Sequence, residues 1–428
     1  MMPTIKNRNQ LGTSHDKKIA ISIIEEGLRA SLPNSALEAI FSKTGMKVGK
    51  KKISLKKYSS VNLIAIGKSA DLMAMIVSSR TCISKGIVVI PTGMNPMIHS
   101  TKFEIIEAGH PIPDAASVAA ATGIIRFLRA MRPSDFVIFL ISGGASSLVS
   151  QPEGITLKTK QIVNELLIKS GASIGEINCV RKHLSKVKGG RILGDLRCDA
   201  VSLVMSDVIG DDLSVIGSGI TYCDKSTFFD ARKVLMKYRL KNRVPKSAWN
   251  RIALGVAGKI PETPKRATIE NFVIRSNKDA VKAMAVYSRK VGYRPKIVCP
   301  LYGDVRTASA KISSNLPPKK HSCLIFGGET TVRVRGKGLG GRNQELVLNL
   351  LKKLKRSRDK LVIVALGTDG VDGNSSAAGA IVRSDEWSNE IERYLARNDS
   401  FSYFKKNGSA IFTGHTHTNV MDIGLVLR

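Results

Sequence analysis

The sequence predicts an α/β protein with two domains. At 428 residues the chain exceeds what a single hydrophobic core usually covers, so two domains are the default expectation. Short apolar, β-branched runs end in glycine, serine or aspartate and are followed by helical patterns, as in sheets covered by helices on both faces. The composition changes over 241–264, with VPKSAW and IPETPKR, and this predicts domains at 1–245 and 246–428.

The apolar runs define the predicted strands. In chain order they lie within Val61–Ala70, Gly86–Gly93, Asp135–Leu148, Ala200–Asp212, Lys296–Pro300, Cys323–Glu329 and Leu361–Gly373. In α/β folds ligands bind beyond the carboxyl ends of the strands. The polar and glycine-rich motifs of this chain follow these runs, so we expect the functional site at that edge of the sheets.

The charge is strongly positive. Lys and Arg number 67 against 34 Asp and Glu, which gives a net charge of +33 and makes a basic nucleic-acid-binding protein one alternative function. The densest runs, Lys47–Lys57, Lys237–Arg251 and Lys352–Lys360, are expected in helix ends and connections. No RNP, zinc-finger or basic-zipper signature is present and aromatic residues make up only 5%. A solvated surface without a specific nucleic-acid partner is therefore predicted.

The chain shows no sign of a membrane or secretory segment. It has no run of about eighteen uncharged apolar residues, and its N-terminal stretch lacks the apolar region of a signal peptide. The six cysteines are scattered without a C-x-x-C pair, so neither a zinc knuckle nor a disulfide framework is indicated. We expect a cytoplasmic protein without membrane partners, either a monomer or a homodimer.

The first strand is followed by Gly67-Lys68-Ser69, which looks like the end of a P-loop. The Walker pattern requires a glycine five residues before Gly67, and Asn62 stands there instead. The sequence therefore excludes a P-loop NTPase. A lysine at a strand-to-helix turn still faces the ligand-binding edge, so an anion-binding role is predicted for Lys68.

Small residues follow the apolar strand that ends at Ile141. In Ser142–Ser147 they allow backbone N–H groups to converge on an anion, and the hydroxyls add further donors. A nucleophilic serine is the competing interpretation, but Leu140 occupies the place of the first glycine of a G-x-S-x-G elbow. In GHPIPD, His110 between glycine and proline suggests a positioning role, and Asp114 is predicted to be a helix N-cap.

Acidic residues also follow two predicted strands. Asp207 comes after Val201–Met205, and Asp369 lies in the loop after Leu361–Leu366. An acid cluster is what Mg²⁺ requires, whereas the basic surroundings favour anions. Phosphoryl transfer needs both, with cations and N–H groups on the phosphates and acids on the metal. Asp207 and Asp369 are therefore the candidate metal ligands, and either of them could instead orient the attacking hydroxyl.

A glycine-rich segment, Gly327–Leu351, satisfies G-x-G-x-x-G with Gly336, Gly338 and Gly341. A dinucleotide fingerprint follows a strand that is buried on both faces. In residues 331–335 (TVRVR), by contrast, polar and apolar side chains alternate, as in a strand with one solvent-exposed face. Dinucleotide binding is therefore disfavoured. A loop with exposed N–H groups and several arginines that ends at a helix N-terminus suits phosphates and carboxylates instead.

Nine motifs occur in an order that resembles a known family. They are AIGKSA, GHPIPD, LISGGASSL, INCVRKHLSKVKGGRI, SDVIGDD, GSG, GGETTVRVRGKGLGGRNQE, GTDGVDG and TNVMDIGLVL. Together they resemble the class II glycerate 2-kinases, whose C-terminal half is called the MOFRL domain. The resemblance implies a larger Rossmann-like N-terminal domain, a smaller α/β C-terminal domain and an active site in the cleft between them.

The resemblance also implies an activity and a site. The activity is phosphorylation of D-glycerate at its 2-hydroxyl by ATP, with Mg²⁺ or another divalent cation, to 2-phospho-D-glycerate. Lys68 and Arg342 match the active-site lysine and arginine of the family, and Asp207 completes the predicted catalytic set. The predicted substrate and nucleotide contacts are Ser69, His110, Ser142, Gly143, Gly144, Ser146, Glu329, Asn343, Asp369 and Asn419. An older label within the family, hydroxypyruvate reductase, is a second alternative.

Overall fold

The chain folds into two compact units. The structure is a computed structural model and describes residues 4–316, 319–355 and 359–428. One unit, here called the central unit, is the continuous segment Pro33–Ile274. The other, the terminal unit, combines the residues up to Leu32 with Arg275–Arg428.

The strands supply two large sheets and one small one. In chain order they are β1 (Phe41–Ser42), β2 (Gly45–Val48), β3 (Lys51–Ser54), β4 (Ser60–Ile66), β5 (Lys85–Pro91), β6 (Phe103–Ala108), β7 (Asp135–Ile141), β8 (Asp199–Met205), β9 (Glu270–Arg275), β10 (Arg294–Asp304), β11 (Ser322–Thr331), β12 (Val362–Gly367), β13 (Gly379–Arg383), β14 (Ala410–Ile411) and β15 (Asp422–Leu427).

The helices alternate with these strands over most of the chain. They are α1 (Arg8–Leu11), α2 (His15–Ser31), α3 (Asn34–Ile40), α4 (Ala70–Arg80), α5 (Ala115–Arg129), α6 (Ala145–Leu148), α7 (Leu157–Lys169), α8 (Ile174–His183), α9 (Phe228–Lys237), α10 (Lys246–Val256), α11 (Asn277–Lys290), α12 (Val305–Ser314), α13 (Arg342–Lys353), α14 (Ile391–Ala396) and α15 (Ser400–Lys406). No helix in the described ranges is both long and apolar enough to cross a membrane.

The central unit is built on a six-stranded sheet in the order β6-β5-β4-β7-β8-β9. The pairs from β6 to β8 are parallel. Numbered within this sheet, the strands run 3-2-1-4-5-6, which is the order of a Rossmann fold. The order reverses between β4 and β7, and in such sheets ligands bind at the carboxyl ends of the strands beside this switch point.

The terminal unit contains a six-stranded mixed sheet in the order β10-β11-β15-β12-β13-β14. β10 and β11 are parallel, whereas the pairs that involve β15 are antiparallel. Helix α13 lies over this sheet and contributes a row of buried leucines to its core, Leu346, Leu348, Leu350 and Leu351. The sheet of the terminal unit and its helices thus enclose a hydrophobic core of their own, as a separate domain requires.

The division between the units differs from the boundary predicted at 245/246. Helix α10 packs on α9 in the central unit, and a Cβ at Gly255 would lie 2.1 Å from the Phe228 ring, so this packing requires glycine. At the other end of the chain, α2 packs on α11, and a Cβ at Gly27 would lie 2.8 Å from both Met284 and Ile423. The first long helix therefore belongs with the C-terminal segment, and VPKSAW begins a packed helix.

Most local predictions agree with the structure. Each of the seven predicted runs overlaps an observed strand, and Asp114 accepts a hydrogen bond from the Ser117 amide as the N-cap of α5. The prediction for Lys47–Lys57 was wrong, because this basic run forms most of the β2–β3 hairpin and the 3-10 turn that follows it. In the run Lys352–Lys360, residues 356–358 lie outside the described ranges.

Candidate active site

The carboxyl ends of β4 and β7 approach each other closely at Gly67 and Ser142. The two strands are adjacent and parallel, and their pairing extends to Ile66 opposite Ile141. Gly67 has a φ of +128°, and a Cβ there would lie 2.2 Å from Ser142 Oγ. Only glycine is compatible with both the conformation and the approach. Gly67 therefore allows the two strand ends to lie close together.

Hydrogen bonds join the two turns that follow these strands. The Lys68 amide donates to the Gly143 carbonyl at 2.9 Å, and the Ser69 amide donates to Ser142 Oγ at 3.0 Å. The hydroxyl of Ser69 is itself buried and has no hydrogen-bond partner among the described residues. Buried hydroxyls are normally paired, so this one is a group that a ligand or a water bound beside Lys68 would satisfy.

Lys68 and His110 lie on either side of Gly144. A Cβ at Gly144 would be 3.0 Å from the His110 ring and 3.6 Å from Lys68 Cγ, and Gly144 has a φ of +89°. Lys68 is half-buried and His110 is exposed. The structure therefore brings together the predicted anion-binding residues of the central unit at the switch point of its sheet. Ser146 lies in the next turn, in α6.

Asp207 follows β8, the neighbour of β7, and is half-buried at the same edge of the sheet. In the described part of the chain, no group of three or more His, Cys, Asp or Glu side chains is arranged to hold a metal ion. Mg²⁺ in kinases is typically bound by one or two carboxylates together with substrate phosphates. A single carboxylate such as Asp207 fits a magnesium ion that arrives with a nucleotide.

In the terminal unit Arg342 is held by two carboxylates. It is the first residue of α13, and its guanidinium donates through Nε to Asp422 Oδ2 at 2.6 Å and through Nη2 to Asp422 Oδ1 at 3.0 Å. A third bond runs from Nη1 to Glu329 Oε1. Burial opposes the charge, but Asp422 and Glu329 outweigh it and raise the pKa of Arg342. The arginine is thus permanently charged and fixed in orientation.

The two carboxylates lie on neighbouring strands. Glu329 lies in β11, and Asp422 is the first residue of β15, where it pairs with Gly328. With Arg342 they form a group whose formal charge is −1, from one cation and two anions. The positive charge of Arg342 is therefore compensated, and its guanidinium is held in one orientation. Sequence reasoning missed Asp422, although it lies within the motif TNVMDIGLVL.

Asp372 fixes the start of α13. Its Oδ1 accepts from the backbone amide and the side chain of Asn343 at 3.0 and 3.2 Å. Its Oδ2 accepts from the backbone amide and the side chain of Gln344 at 2.8 and 3.0 Å. The carboxylate is 1% exposed and satisfies amides that the first turn of a helix leaves unpaired. Asn343, a predicted ligand contact, therefore already has a structural role in orienting Arg342.

We expect Asp372→Asn to lower the free energy of unfolding by about 3 kcal/mol, because the amide can no longer accept four N–H donors. The measurement is chemical denaturation of the variant beside Asp304→Asn. Asp304 caps α12 through the Arg306 amide at 2.9 Å, and asparagine is an equally good N-cap. A loss in Asp372→Asn no larger than in Asp304→Asn would contradict the role assigned to the buried carboxylate.

Asp369 and Asn419 lie in loops near this group. A Cβ at Gly367 would be 3.1 Å from Asp369 Oδ1 and 3.5 Å from Asp422 Oδ1, which places both carboxylates beside the end of β12. Asn419 accepts from the Met421 amide at 3.3 Å in the approach to β15. The structure thus brings Glu329, Arg342 and Asp369 together around Asp422. Their contacts with ligands, and the predicted cleft, stay predictions.

The glycine-rich loop differs from its predicted form. β11 ends at Thr331 and is buried over most of its length, so the expected alternating strand over 331–335 was wrong. The conclusion drawn from it still holds on other grounds. Cβ atoms at Gly336 and Gly338 would lie 2.1 Å from the Arg397 carbonyl and 2.5 Å from Asp399 Cβ. These glycines allow the loop to pack on its own unit, and no dinucleotide is needed to explain them.

Known proteins resemble this chain over most of its length. A domain of unknown function, DUF4147, matches residues 19–253, and the MOFRL family matches residues 322–422. The glycerate 2-kinase of Pyrococcus horikoshii is 37% identical, over 96% of this chain and 97% of its own length. A crystal structure of glycerate kinase from Thermotoga maritima superposes with a TM-score of 0.80 at 35% identity, covering 96% of this chain and 98% of that chain.

A third relative carries a different name. A putative hydroxypyruvate reductase of Agrobacterium vitis is 36% identical, over 85% of this chain and 86% of its own length. The family matches and the relatives together cover both units described above. The chain belongs to the glycerate 2-kinase family and carries its MOFRL domain.

Proposed function

We propose that the protein transfers the γ-phosphoryl group of ATP to the 2-hydroxyl of D-glycerate. The hydroxyl oxygen forms the new bond to phosphorus, the bond to the ADP oxygen breaks, and the hydroxyl proton is released, which leaves 2-phospho-D-glycerate. The observation that supports this most is the pair of joined turns after β4 and β7, where Lys68, His110 and Gly144 meet at the switch point.

The central unit supplies what phosphates require. Lys68 provides a cation, and the small residues Gly143 and Gly144 let oxygen atoms approach the backbone. The unpaired hydroxyl of Ser69 offers one more donor beside them. Phosphoryl transfer depends mainly on positioning and on electrostatic stabilisation of the transferring group. We assign Lys68 to that group, and Asp207 either to Mg²⁺ or to the attacking hydroxyl.

The group around Arg342 supplies a rigid contact for an oxyanion. Three of its five N–H groups donate to Asp422 and Glu329, and these bonds fix the plane of the guanidinium. The remaining donors can grip a carboxylate or phosphoryl oxygen in a set direction. We assign Arg342 to the substrate, and Asp369 to a divalent cation, either Mg²⁺ or another hard ion. We also propose that the protein is cytoplasmic and is either a monomer or a homodimer.

The test is formation of 2-phosphoglycerate by the purified protein from ATP, Mg²⁺ and D-glycerate. Enolase acts on the 2-phospho isomer, so coupling to enolase reports the expected product directly. A second assay, coupled through enzymes that consume 3-phosphoglycerate, reports the other isomer. Product in the first assay alone supports the proposal. Product in the second alone would show that a different hydroxyl is phosphorylated, and no product in either assay would overturn the kinase assignment.

The second candidate, reduction of hydroxypyruvate, is favoured only by the names of some relatives. The glycines that match a dinucleotide fingerprint pack against the Arg397–Asp399 segment, so the loop offers no evident place for a pyrophosphate. Oxidation of NADH or NADPH with hydroxypyruvate, followed by absorbance, separates the two reactions. We expect no oxidation above the rate without protein.

A further inference from the structure

A buried lysine lies behind the turn that we propose holds phosphate. Lys188 is 1% exposed, and its amine donates to the Ser146 carbonyl and, at 2.8 Å, to Ser146 Oγ. Within the described ranges Lys188 forms no ion pair with a carboxylate. Ser146 belongs to the turn that follows β7, so the amine contacts this turn from its inner side.

The direction of the hydrogen bonds around Ser146 is fixed. Ser218 Oγ lies 3.0 Å from Asn178 Oδ1, which can only accept, so Ser218 uses its single hydroxyl hydrogen there. Ser146 Oγ, 2.8 Å from Ser218 Oγ, must then donate to it. The free lone pair of Ser146 Oγ is left for Lys188, which must be the donor. The position of Ser146 therefore depends on Lys188 on one side and on Ser218 and Asn178 on the other.

Lys188 lacks a carboxylate partner among the described residues, whereas the buried Lys182 has one. Lys182, which is 5% exposed, has Asp224 at 3.2 Å. Among the residues that the structure describes, Lys188 has only hydroxyl and carbonyl partners. Burial lowers its pKa well below the ordinary value, and Lys160 and Arg181 lower it further. A neutral side chain could donate to Ser146 without opposing burial, so an ionisable donor here points to an anion that arrives with a ligand.

We propose that Lys188 is a positioning residue of the phosphate site. Its amine holds Ser146 in place, and the phosphate that the Ser142–Ser147 turn binds supplies the negative charge opposite this amine. This inference rests on the proposed function, because it requires that the turn binds a phosphate group. It goes beyond that function by adding a residue that lies under the turn and acts on the ligand through Ser146 and through its charge.

Proton uptake on binding is a direct consequence. A dianionic phosphate near the turn stabilises the charged amine and so raises the pKa of Lys188 in the complex. Between the pKa of the free protein and that of the complex, binding takes up a proton, and affinity therefore falls as pH rises through this interval. The charged groups that act on Lys188 are Lys160 and Arg181, since the nearby Lys182 and Asp224 neutralise each other.

The experiment is calorimetric titration with ADP at a series of pH values from about 7.5 to 10, where the terminal phosphate is already fully ionised. Titrations in two buffers of different ionisation enthalpy give the number of protons taken up. Wild type is expected to take up part of one proton. Lys188→Met is expected to bind ADP at least about tenfold more weakly and without proton uptake.

Two further variants separate charge from structure. Lys188→Gln can still donate to Ser146 but carries no charge, so it should keep the melting temperature and yet lose the proton uptake and most of the affinity. Lys160→Met removes an equally buried lysine that donates to Ser150, outside the turn. Because Lys160 lowers the pKa of Lys188, this variant should bind ADP as tightly as wild type or more tightly.

The outcomes distinguish failure of the proposed function from failure of the role assigned to Lys188. Equal weakening in Lys188→Met and Lys160→Met would mean a general loss of positive charge and would overturn the inference. Wild-type affinity and proton uptake in Lys188→Gln would do the same. If wild type itself bound no ADP, the proposed function and the inference would both fail. Phosphorylation of D-glycerate by a protein whose ADP affinity is unchanged in Lys188→Met would leave the function standing and remove only the inference.

Discussion

Lys68→Ala is expected to lower kcat/KM for D-glycerate by about 10³-fold, the upper range for loss of one electrostatic contact to a transition state. Lys68 is held at the switch point, because its own amide is bonded to Gly143 and its side chain passes Gly144. Steady-state kinetics with the enolase-coupled assay measure the effect. Thermal melting of the variant should match wild type, since a half-exposed side chain is removed.

The control for this variant is Lys158→Ala. Lys158 is an exposed lysine of the same unit, at the start of α7. In a protein of net charge +33, loss of one surface cation should change kcat/KM by no more than about twofold. If Lys68→Ala behaved like Lys158→Ala, Lys68 would be an ordinary surface cation and the turns at the switch point would lose their proposed role.

Arg342→Lys is expected to lower kcat/KM at least about tenfold, although the charge is retained. An ammonium cannot make the two parallel bonds to Asp422 while also reaching Glu329, so the group loses its fixed geometry. The remaining donors then no longer point in a set direction. Kinetics at varied D-glycerate and at varied ATP show which substrate senses the change.

Arg393→Lys is the matched control in the terminal unit. Arg393 lies in α14 with 60% of its side chain exposed, and its contact with Glu390 is a 3.6 Å surface ion pair. Such pairs contribute little, and lysine replaces arginine there without loss. Turnover of Arg342→Lys equal to that of Arg393→Lys would show that the planar fork has no function in the reaction. The kinase assignment would then depend on resemblance and on Lys68.

The strands of the central unit could be predicted because parallel strands are buried on both faces. Ser60–Ile66 and Asp135–Ile141 therefore appear as almost continuous apolar runs that end abruptly in glycine and serine. The sequence of the terminal unit carried less information about how its strands pair. Asp422–Leu427 is equally apolar whether it pairs in parallel or antiparallel fashion, and its place between β11 and β12 is determined by tertiary contacts.

The site was predictable where its residues cluster in sequence. Lys68 and Ser142 stand in short polar turns directly after strands, which is a local signal. Asp422 is a single charged residue among apolar ones and Lys188 is one of several basic residues in its stretch, and their partners lie 80 and 42 residues away in the chain. Only the pairing of β11 with β15, and the packing behind the β7 turn, reveal what they contact. The same limit explains why α2 could not be assigned to the C-terminal half.

The discontinuous terminal unit has a consequence for how the protein is made. During synthesis the central unit emerges as one continuous segment and can fold at once, whereas α2 must wait for α11 and for β15, the last strand of the chain. In the folded protein Arg275 Nε donates to the Leu32 carbonyl at 3.1 Å, so the two ends of the central segment lie close together. Chains that end before β15 would therefore carry a folded central unit and a helix α2 whose apolar face is uncovered, a form that chaperones and proteases recognise.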